Sequence, residues 1–205
     1  MFDSGFGPDD IEIQQQERVY DGYFKMDRYR FRHRLFAGGW SEPVQREVFD
    51  RGHAVAVLPY DPVTDRVLLI RQVRLPALLG EGRPWQIEAV AGIIDPGQTA
   101  EDVARREALE EAGVEVTDLW HLFRFMTSAG ASSERIELYL GRSDLSGAGG
   151  VYGLDHEHED IEAVAAPLAE AWALVEGKQT ENTPAIMALM WLKLNREAVR
   201  AAWTG

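Results

Sequence analysis

The 205-residue chain contains no cysteine, so it can form no disulfide and offers no thiolate as nucleophile or metal ligand. It lacks any run of the ~20 consecutive apolar residues that a membrane-spanning helix requires, which argues against a membrane partner. Its opening stretch, MFDSGFGPDDIEIQQQ, has neither a basic nor an apolar segment and reads as no secretory signal. These absences favour the cytoplasm. Basic residues are outnumbered: 21 Lys and Arg stand against 34 Asp and Glu, a formal net charge of -13. Nonspecific nucleic-acid binding rests on neutralising phosphates with Lys and Arg, so nucleic acid is excluded as an expected partner. An anionic small molecule stays open, because a bound divalent cation and a few arginines can invert the field of a local site.

The rest is an ordinary globular composition. Hydrophobic residues make up 45% and charged residues 27%, enough for one substantial core or one core with a small extra domain. Residues 1–16 are polar and should be ordered only where something tethers them. From Arg28 to Leu35 the pattern alternates strictly. Tyr29, Phe31, His33 and Leu35 take one face; Arg28, Arg30, Arg32 and Arg34 take the other. That period predicts a strand, and the bland reading of the arginines is a solvated face. Gly38-Gly39 marks a turn and PVQREVF a second strand. HAVAVLPYD and RVLLIRQVR read as buried strands joined by the turn DPVTD. WQIEAVAG reads as a further strand ending at Gly92. Strands are also expected from Val114 to Thr127 and from Glu134 to Gly141. SGAGGVYGLDHEHED reads as a long acidic, glycine-rich loop, a kind of segment that often carries function. LAEAWALVEG and TPAIMALMWLKLNREAVRAAW read as helices, with Pro184 in a first turn. Mixed strands and helices point to an α/β or α+β domain.

The chemistry concentrates in GIIDPGQTAEDVARREALEEAGV, Gly92 to Val114. Thr99-x-x-Asp102 resembles a capping box that starts a helix near Ala100, and Gly113 suits its left-handed end. Within that helix Glu107, Glu110 and Glu111 share one face, where like charges repel by roughly 0.2–0.5 kcal/mol per pair. An exposed, salt-bridged helix is the bland account: Glu101 and Arg105, Asp102 and Arg106, and Arg106 and Glu110 are each four apart. The flanks favour another. A strand and a glycine-rich loop lead into the helix, and three carboxylates on one face form an oxygen-only site suited to Mg²⁺ or Mn²⁺.

This stretch resembles the Nudix box, G-x5-E-x7-R-E-U-x-E-E-x-G-U with U apolar. Gly92, Arg106, Glu107, Glu110, Glu111, Gly113 and Val114 match; Gln98 replaces the box's first Glu. The resemblance implies a Nudix hydrolase, an α/β/α sandwich with a mixed sheet that hydrolyses nucleoside diphosphates linked to another group, using Mg²⁺. Outside the box, YRFRHRLF, REVFDRGHAVAVLPYDPVTD, GLDHEHEDI and IMALMWLKLN look like bacterial ADP-ribose pyrophosphatases. That similarity implies a homodimer in which a small N-terminal β region, residues 1–50, is exchanged between subunits, with the Nudix domain over 51–205. It also implies roles. The Ala91 carbonyl, Glu107 and Glu111 would bind Mg²⁺, Glu110 would share a second ion, and Glu159 would be a further ligand. Glu157 would be the general base. Arg51 and Arg74 would contact phosphate and ribose, with Arg46 and Glu47 as further binding residues. Tyr23 and Phe24 would sandwich adenine from the other subunit. Ser128 and Glu134 would lie near the terminal ribose, and Ile93 would touch substrate by its backbone. Gln98 is expected to brace Arg106 without the usual charge. His156 and His158 flank the base, but Mg²⁺ favours oxygen over imidazole, so they read as solvated loop residues. Ala129 stands where ADP-ribose enzymes of this family carry a proline, so the backbone there loses a fixed φ. A GDP-mannose or other nucleotide-sugar pyrophosphatase is the nearest alternative within the class. A non-catalytic nucleotide-sensing domain is the alternative from another class.

Overall fold

The computed structural model describes residues 5–204. The chain divides into two compact units. The first runs up to Gly52 and takes in a second segment, Met126–Glu134. The second comprises His53–Phe125 and the chain from Arg135 onward.

The first unit is built on a three-stranded antiparallel sheet of β1 (Ile11–Asp21), β2 (Lys25–His33) and β3 (Val44–Asp50), in that order. The alternation around Arg28 to Leu35 marks β2 as expected. Two of its arginines find cross-strand carboxylates: Arg28 pairs with Glu17 at 3.6 Å and Glu47 at 3.1 Å, and Arg32 with Glu12 at 2.5 Å. Exposed pairs of this kind contribute about 0–1 kcal/mol each, so they set register more than stability. Strand β1 is the tether that orders the polar N-terminal stretch. Every one of its positions is exposed, and register shifts interrupt it between Ile13 and Gln15 and between Arg18 and Tyr20. A strand without a buried face leaves no alternation to read. Residues 1–4 lie outside the described part.

The second unit contains, in chain order, β4 (His53–Asp61), β5 (Arg66–Val73), α1 (Leu75–Leu79), β6 (Trp85–Glu88), β7 (Val90–Ile94), α2 (Ala100–Ala112), β8 (Asp118–Met126), β9 (Arg135–Arg142), β10 (Gly149–Tyr152), β11 (Ile161–Pro167), α3 (Leu168–Glu176) and α4 (Thr183–Thr204). The sheet order is β10-β11-β5-β4-β9-β8, with β6 on β5 and β7 on β4. Strands β4 and β9 are parallel and the other registered neighbours antiparallel, so the sheet is mixed. β4 explains the layering. Ala54, Ala56, Leu58 and Tyr60 face a core shared with Leu168 and Ala171 of α3 and Ala188, Leu189 and Leu192 of α4. Val55 and Val57 face the opposite core, with Val103, Ala104, Ala108 and Ala112 of α2. A strand buried on both faces needs an unbroken apolar run, and AVAVLPY supplies it. The result is the α/β/α sandwich with a mixed sheet.

Three local departures have physical causes. WQIEAVAG forms two strands, not one. β4 and β5 pair directly only at Tyr60–Val67 and Asp61–Arg66, so their other ends part; β6 lies on β5, and the chain crosses at buried Ala89 to place β7 on β4, continuing to Ile94. The expected loop from Ser146 to Asp160 contains β10 and a 3-10 turn at Asp155–Glu157. The largely apolar IEAVAAP forms β11, and Val114–Thr117 precedes β8 without joining it. Among the described residues no helix is long and apolar enough to cross a membrane.

Candidate functional site

Helix α2 begins and ends where its sequence dictates. The Thr99 hydroxyl accepts from the Asp102 amide at 3.1 Å. Gly113 takes φ +64, its amide donates to the Leu109 carbonyl at 3.0 Å, and the Val114 amide to the Ala108 carbonyl at 3.1 Å. The buried face is made of small residues, Ala104, Ala108 and Ala112, which let the helix lie close to the sheet. Glu111 falls on that same face and is only 4% exposed. The Ala91 amide donates to its carboxylate at 3.1 Å. Glu107 packs against Gly92 so closely that a Cβ there would overlap its carboxylate. Strand β7 therefore meets α2 through Ala91 and Gly92, one supplying a donor and the other space.

Both carboxyls are pushed up from the ordinary value of 4.5. Burial raises Glu111 to about 8, and the charges of Glu107 and Glu159 add to it while the Ala91 amide and Arg74 oppose. Burial raises Glu107 to about 7, with Glu110 and Glu159 adding and Arg106 opposing. Arg106 joins Glu107 at 2.8 Å and Glu110 at 2.7 Å, so it neutralises part of the cluster. Of the three expected i,i+4 pairs only Arg106–Glu110 forms. Arg105 donates instead to the Val116 carbonyl, and Asp102 is engaged by the Thr99 hydroxyl at 2.7 Å. Gln98 does not brace Arg106: its side chain accepts from the Asp95 amide at 3.3 Å, within its own turn. The surplus buried negative charge and all-oxygen donor set fit a hard divalent cation. Among the described residues no three acidic or histidine side chains converge tightly enough to enclose an ion unaided.

Around these carboxylates the second unit gathers Arg74 and Glu159. Both contribute to the field at Glu111. Arg74 is held by buried Glu88, with Nε at 3.1 Å and Nη2 at 2.9 Å, and Gln72 donates to the same carboxylate at 3.3 Å. Glu88 and Gln72 were not singled out from sequence. Glu159 accepts from the Leu154 amide at 3.1 Å. Glu157 sits in the 3-10 turn, exposed, 3.5 Å from the His156 ring, and His158 follows with φ +57. The segment is thus not extended, and Glu157 and Glu159 do not share a face by alternation. His156 and His158 are both exposed loop residues. Ile93 is half-buried in β7, opposite Ala54.

The first unit gathers a second group. Tyr23 and Phe24 meet edge to face with centroids 4.8 Å apart, and Phe24 meets Phe49 at 5.3 Å. The Arg51 guanidinium lies over the Phe24 ring at 5.3 Å and its Nε is 3.3 Å from the carboxylate of buried Glu134. The Arg51 Nε is buried without a well-formed hydrogen bond. Thr127 donates to Glu134 at 3.0 Å. Ser128 and Ala129 begin an exposed turn, whose Ser128 carbonyl accepts from the Ala131 and Ser132 amides. Arg46 and Glu47 are exposed on β3; Glu47 pairs with Arg28 and Arg46 donates to the Gln45 carbonyl at 2.7 Å.

Comparison with known proteins finds relatives over nearly the whole chain. ADP-ribose pyrophosphatase from Escherichia coli (strain K12) is 44% identical over 198 residues, covering 97% of this chain and 95% of that protein. ADP-ribose pyrophosphatase from Haemophilus influenzae is 40% identical over 202 residues, covering 97% and 93%. GDP-mannose pyrophosphatase from Pectobacterium atrosepticum is 32% identical over 184 residues, covering 87% and 92%. A crystal structure of an ADP compounds hydrolase shares the fold with a TM-score of 0.65 at 22% identity, covering 89% of this chain and 94% of that one. Residues 50–189 match the NUDIX domain, and the chain belongs to that family.

Proposed function

We propose that the chain is a divalent-cation-dependent pyrophosphohydrolase that converts ADP-ribose and water to AMP and ribose 5-phosphate. The observation that carries this is the pair Glu107 and Glu111, buried against Ala91 and Gly92 with more negative charge than Arg106 and Arg74 offset. The 44% identity to an ADP-ribose pyrophosphatase over nearly the whole chain supports the substrate. Mg²⁺, or Mn²⁺, held by Glu107, Glu111, Glu159 and the Ala91 carbonyl with Glu110 at a second position, would neutralise the non-bridging phosphate oxygens and the leaving phosphate. Glu157 takes the proton of the attacking water. The free edge of Arg74 and the Arg51 guanidinium hold phosphate and ribose oxygens, for which a planar fork is suited. Tyr23 and Phe24 stack on adenine in a homodimer whose N-terminal β region crosses to the other subunit, and Arg46 and Glu47 are further binding residues. Ser128, Glu134 and the Ile93 backbone contact the remaining ribose. A cytoplasmic location accords with the cysteine-free composition.

Ala129, at the place where ADP-ribose enzymes carry proline, favours a second reading, a GDP-mannose or other nucleotide-sugar pyrophosphatase. Initial rates with Mg²⁺ on ADP-ribose, GDP-mannose, NADH and diadenosine polyphosphates decide between them. ADP-ribose should lead, releasing AMP, and chelation should abolish turnover. Preference for GDP-mannose overturns the substrate. Binding without turnover on any of the four would instead make the chain a nucleotide sensor.

A further inference from the structure

Glu88 ends β6 as a carboxylate only 6% exposed, in a strand pair where Ile70 stands opposite it. A buried charge is costly unless fully partnered. It has two partners: Arg74 donates Nε to Oε1 and Nη2 to Oε2, and Gln72 Nε2 donates to the same Oε2. The interaction uses two of the three guanidinium nitrogens. Among the described residues Nη1 of Arg74 bonds to no protein group, and 45% of the side chain is exposed. The other carboxylates that act on Arg74 are Glu111 and Glu159. Without Glu88, the guanidinium would be drawn to those two, because opposite charges in a partly desolvated site attract strongly. It would then supply the positive charge that a divalent cation otherwise brings.

We propose that Glu88 is a positioning residue: by gripping Arg74 along its Nε–Nη2 edge it keeps the guanidinium off Glu111 and Glu159 and leaves Nη1 free for a phosphate oxygen. The inference rests on the reading of Glu107, Glu111 and Glu159 as cation ligands. It differs from a purely structural ion pair in what happens when both partners are removed. A structural pair loses the same cohesion whichever side is deleted. A restraint on Arg74 has nothing left to restrain once Arg74 is gone.

The test is Mn²⁺ titration by electron paramagnetic resonance on the full-length protein, with melting temperatures measured in parallel. The variants are Glu88→Gln, Arg74→Ala and the double variant. Glu88→Gln should weaken Mn²⁺ binding by about tenfold, the range found when groups that orient metal ligands are altered. Adding Arg74→Ala to it should return the Mn²⁺ affinity to at least that of the wild type. The KM for ADP-ribose should rise in both single variants and no further in the double. Should Glu88→Gln fail to fold, Glu88→Asp, which keeps the charge but withdraws it by one methylene, should show the same pattern to a smaller degree. Unchanged Mn²⁺ affinity in Glu88→Gln, or a loss that persists in the double variant, overturns the proposal. A wild-type protein that binds no Mn²⁺ overturns the cation-site reading itself, which is a different result.

Discussion

The Ala91 amide donates to the Glu111 carboxylate across 3.1 Å, joining β7 to the buried face of α2. One amide does not offset the burial of that carboxyl, which is pushed up to about 8. Stability of the cation-free protein should therefore depend on pH with a definite sign. Below about pH 4.5, the ordinary glutamate value, folded and unfolded chains both carry the proton and the stability is complete. As pH rises the unfolded state ionises while the folded state resists, so stability falls until about pH 8. Glu107, raised to about 7, acts in the same direction. Thermal melts of chelator-treated protein should show this decline, Glu111→Gln should make it shallower, and Mg²⁺ should reverse it. Equal slopes for wild type and Glu111→Gln would remove the electrostatic account.

Gly92 offers a steric test of the same junction. Its backbone does not lie in the left-handed region, so alanine is tolerable there as conformation. The added Cβ would, however, occupy the space of the Glu107 side chain. Gly92→Ala should lower kcat/KM by about 10–100-fold, the cost of displacing groups that orient a metal ligand, with a smaller change in melting temperature. Turnover equal to wild type would mean that Glu107 can shift without consequence.

How far the sequence announced this arrangement depends on what each feature rests on. β4 was legible because burial on two faces demands an unbroken apolar run. α2 was legible because Thr99 and Gly113 are chemical stops. β1 was not, since all eleven of its positions are exposed and two register shifts break its period. The site divides in the same way. Spacing along a helix placed Glu107, Glu110 and Glu111 together, yet it could not choose among the partners of Arg105 and Arg106. Competition from the Val116 carbonyl and the Thr99 hydroxyl decided that. Glu88 could not be paired with Arg74 from sequence, because the contact depends on the register of β5 against β6 and on the break at Ala89. The roles carried over by resemblance to Tyr23, Phe24, Arg46 and Glu47 come from family likeness, which periodicity alone does not supply.

Tyr23 is 85% exposed and touches Phe24 by one edge. A large aromatic left in water is a weak contributor to folding and a good platform for a base. Tyr23→Ala should leave the melting temperature almost unchanged and raise the KM for ADP-ribose by about tenfold, in keeping with ~1–3 kcal/mol per stacked base. Sedimentation of the full-length protein should give a dimer. A monomer with full activity would sink the exchanged N-terminal region, and an unchanged KM would remove Tyr23 from the adenine site.

The last expectation separates the two loop glutamates. Glu159 lies within the field of Glu107 and Glu111 and is anchored by the Leu154 amide at 3.1 Å. Gly153 is required beside it, since a Cβ there would collide with the Glu159 backbone and Cβ. Glu157 is exposed, on a 3-10 turn, with His156 at 3.5 Å as its neighbour. An anchored carboxylate beside other carboxylates suits cation binding; an exposed one on a short turn is free to approach a bound substrate and its water. Glu157→Gln should lower kcat by about 10²–10⁴-fold, the usual contribution of general-base catalysis, while KM changes little. Its pH–rate profile should lose the limb that reports the base. Glu159→Gln should raise the Mg²⁺ concentration needed for half-maximal rate, and extra Mg²⁺ should recover part of the activity. Measuring kcat and KM for both variants across a Mg²⁺ titration distinguishes the roles. If Glu157→Gln keeps the wild-type kcat, the base lies elsewhere, with Glu110 and Glu134 the next carboxylates to replace. Mg²⁺ rescue of Glu157→Gln instead of Glu159→Gln would exchange the two assignments.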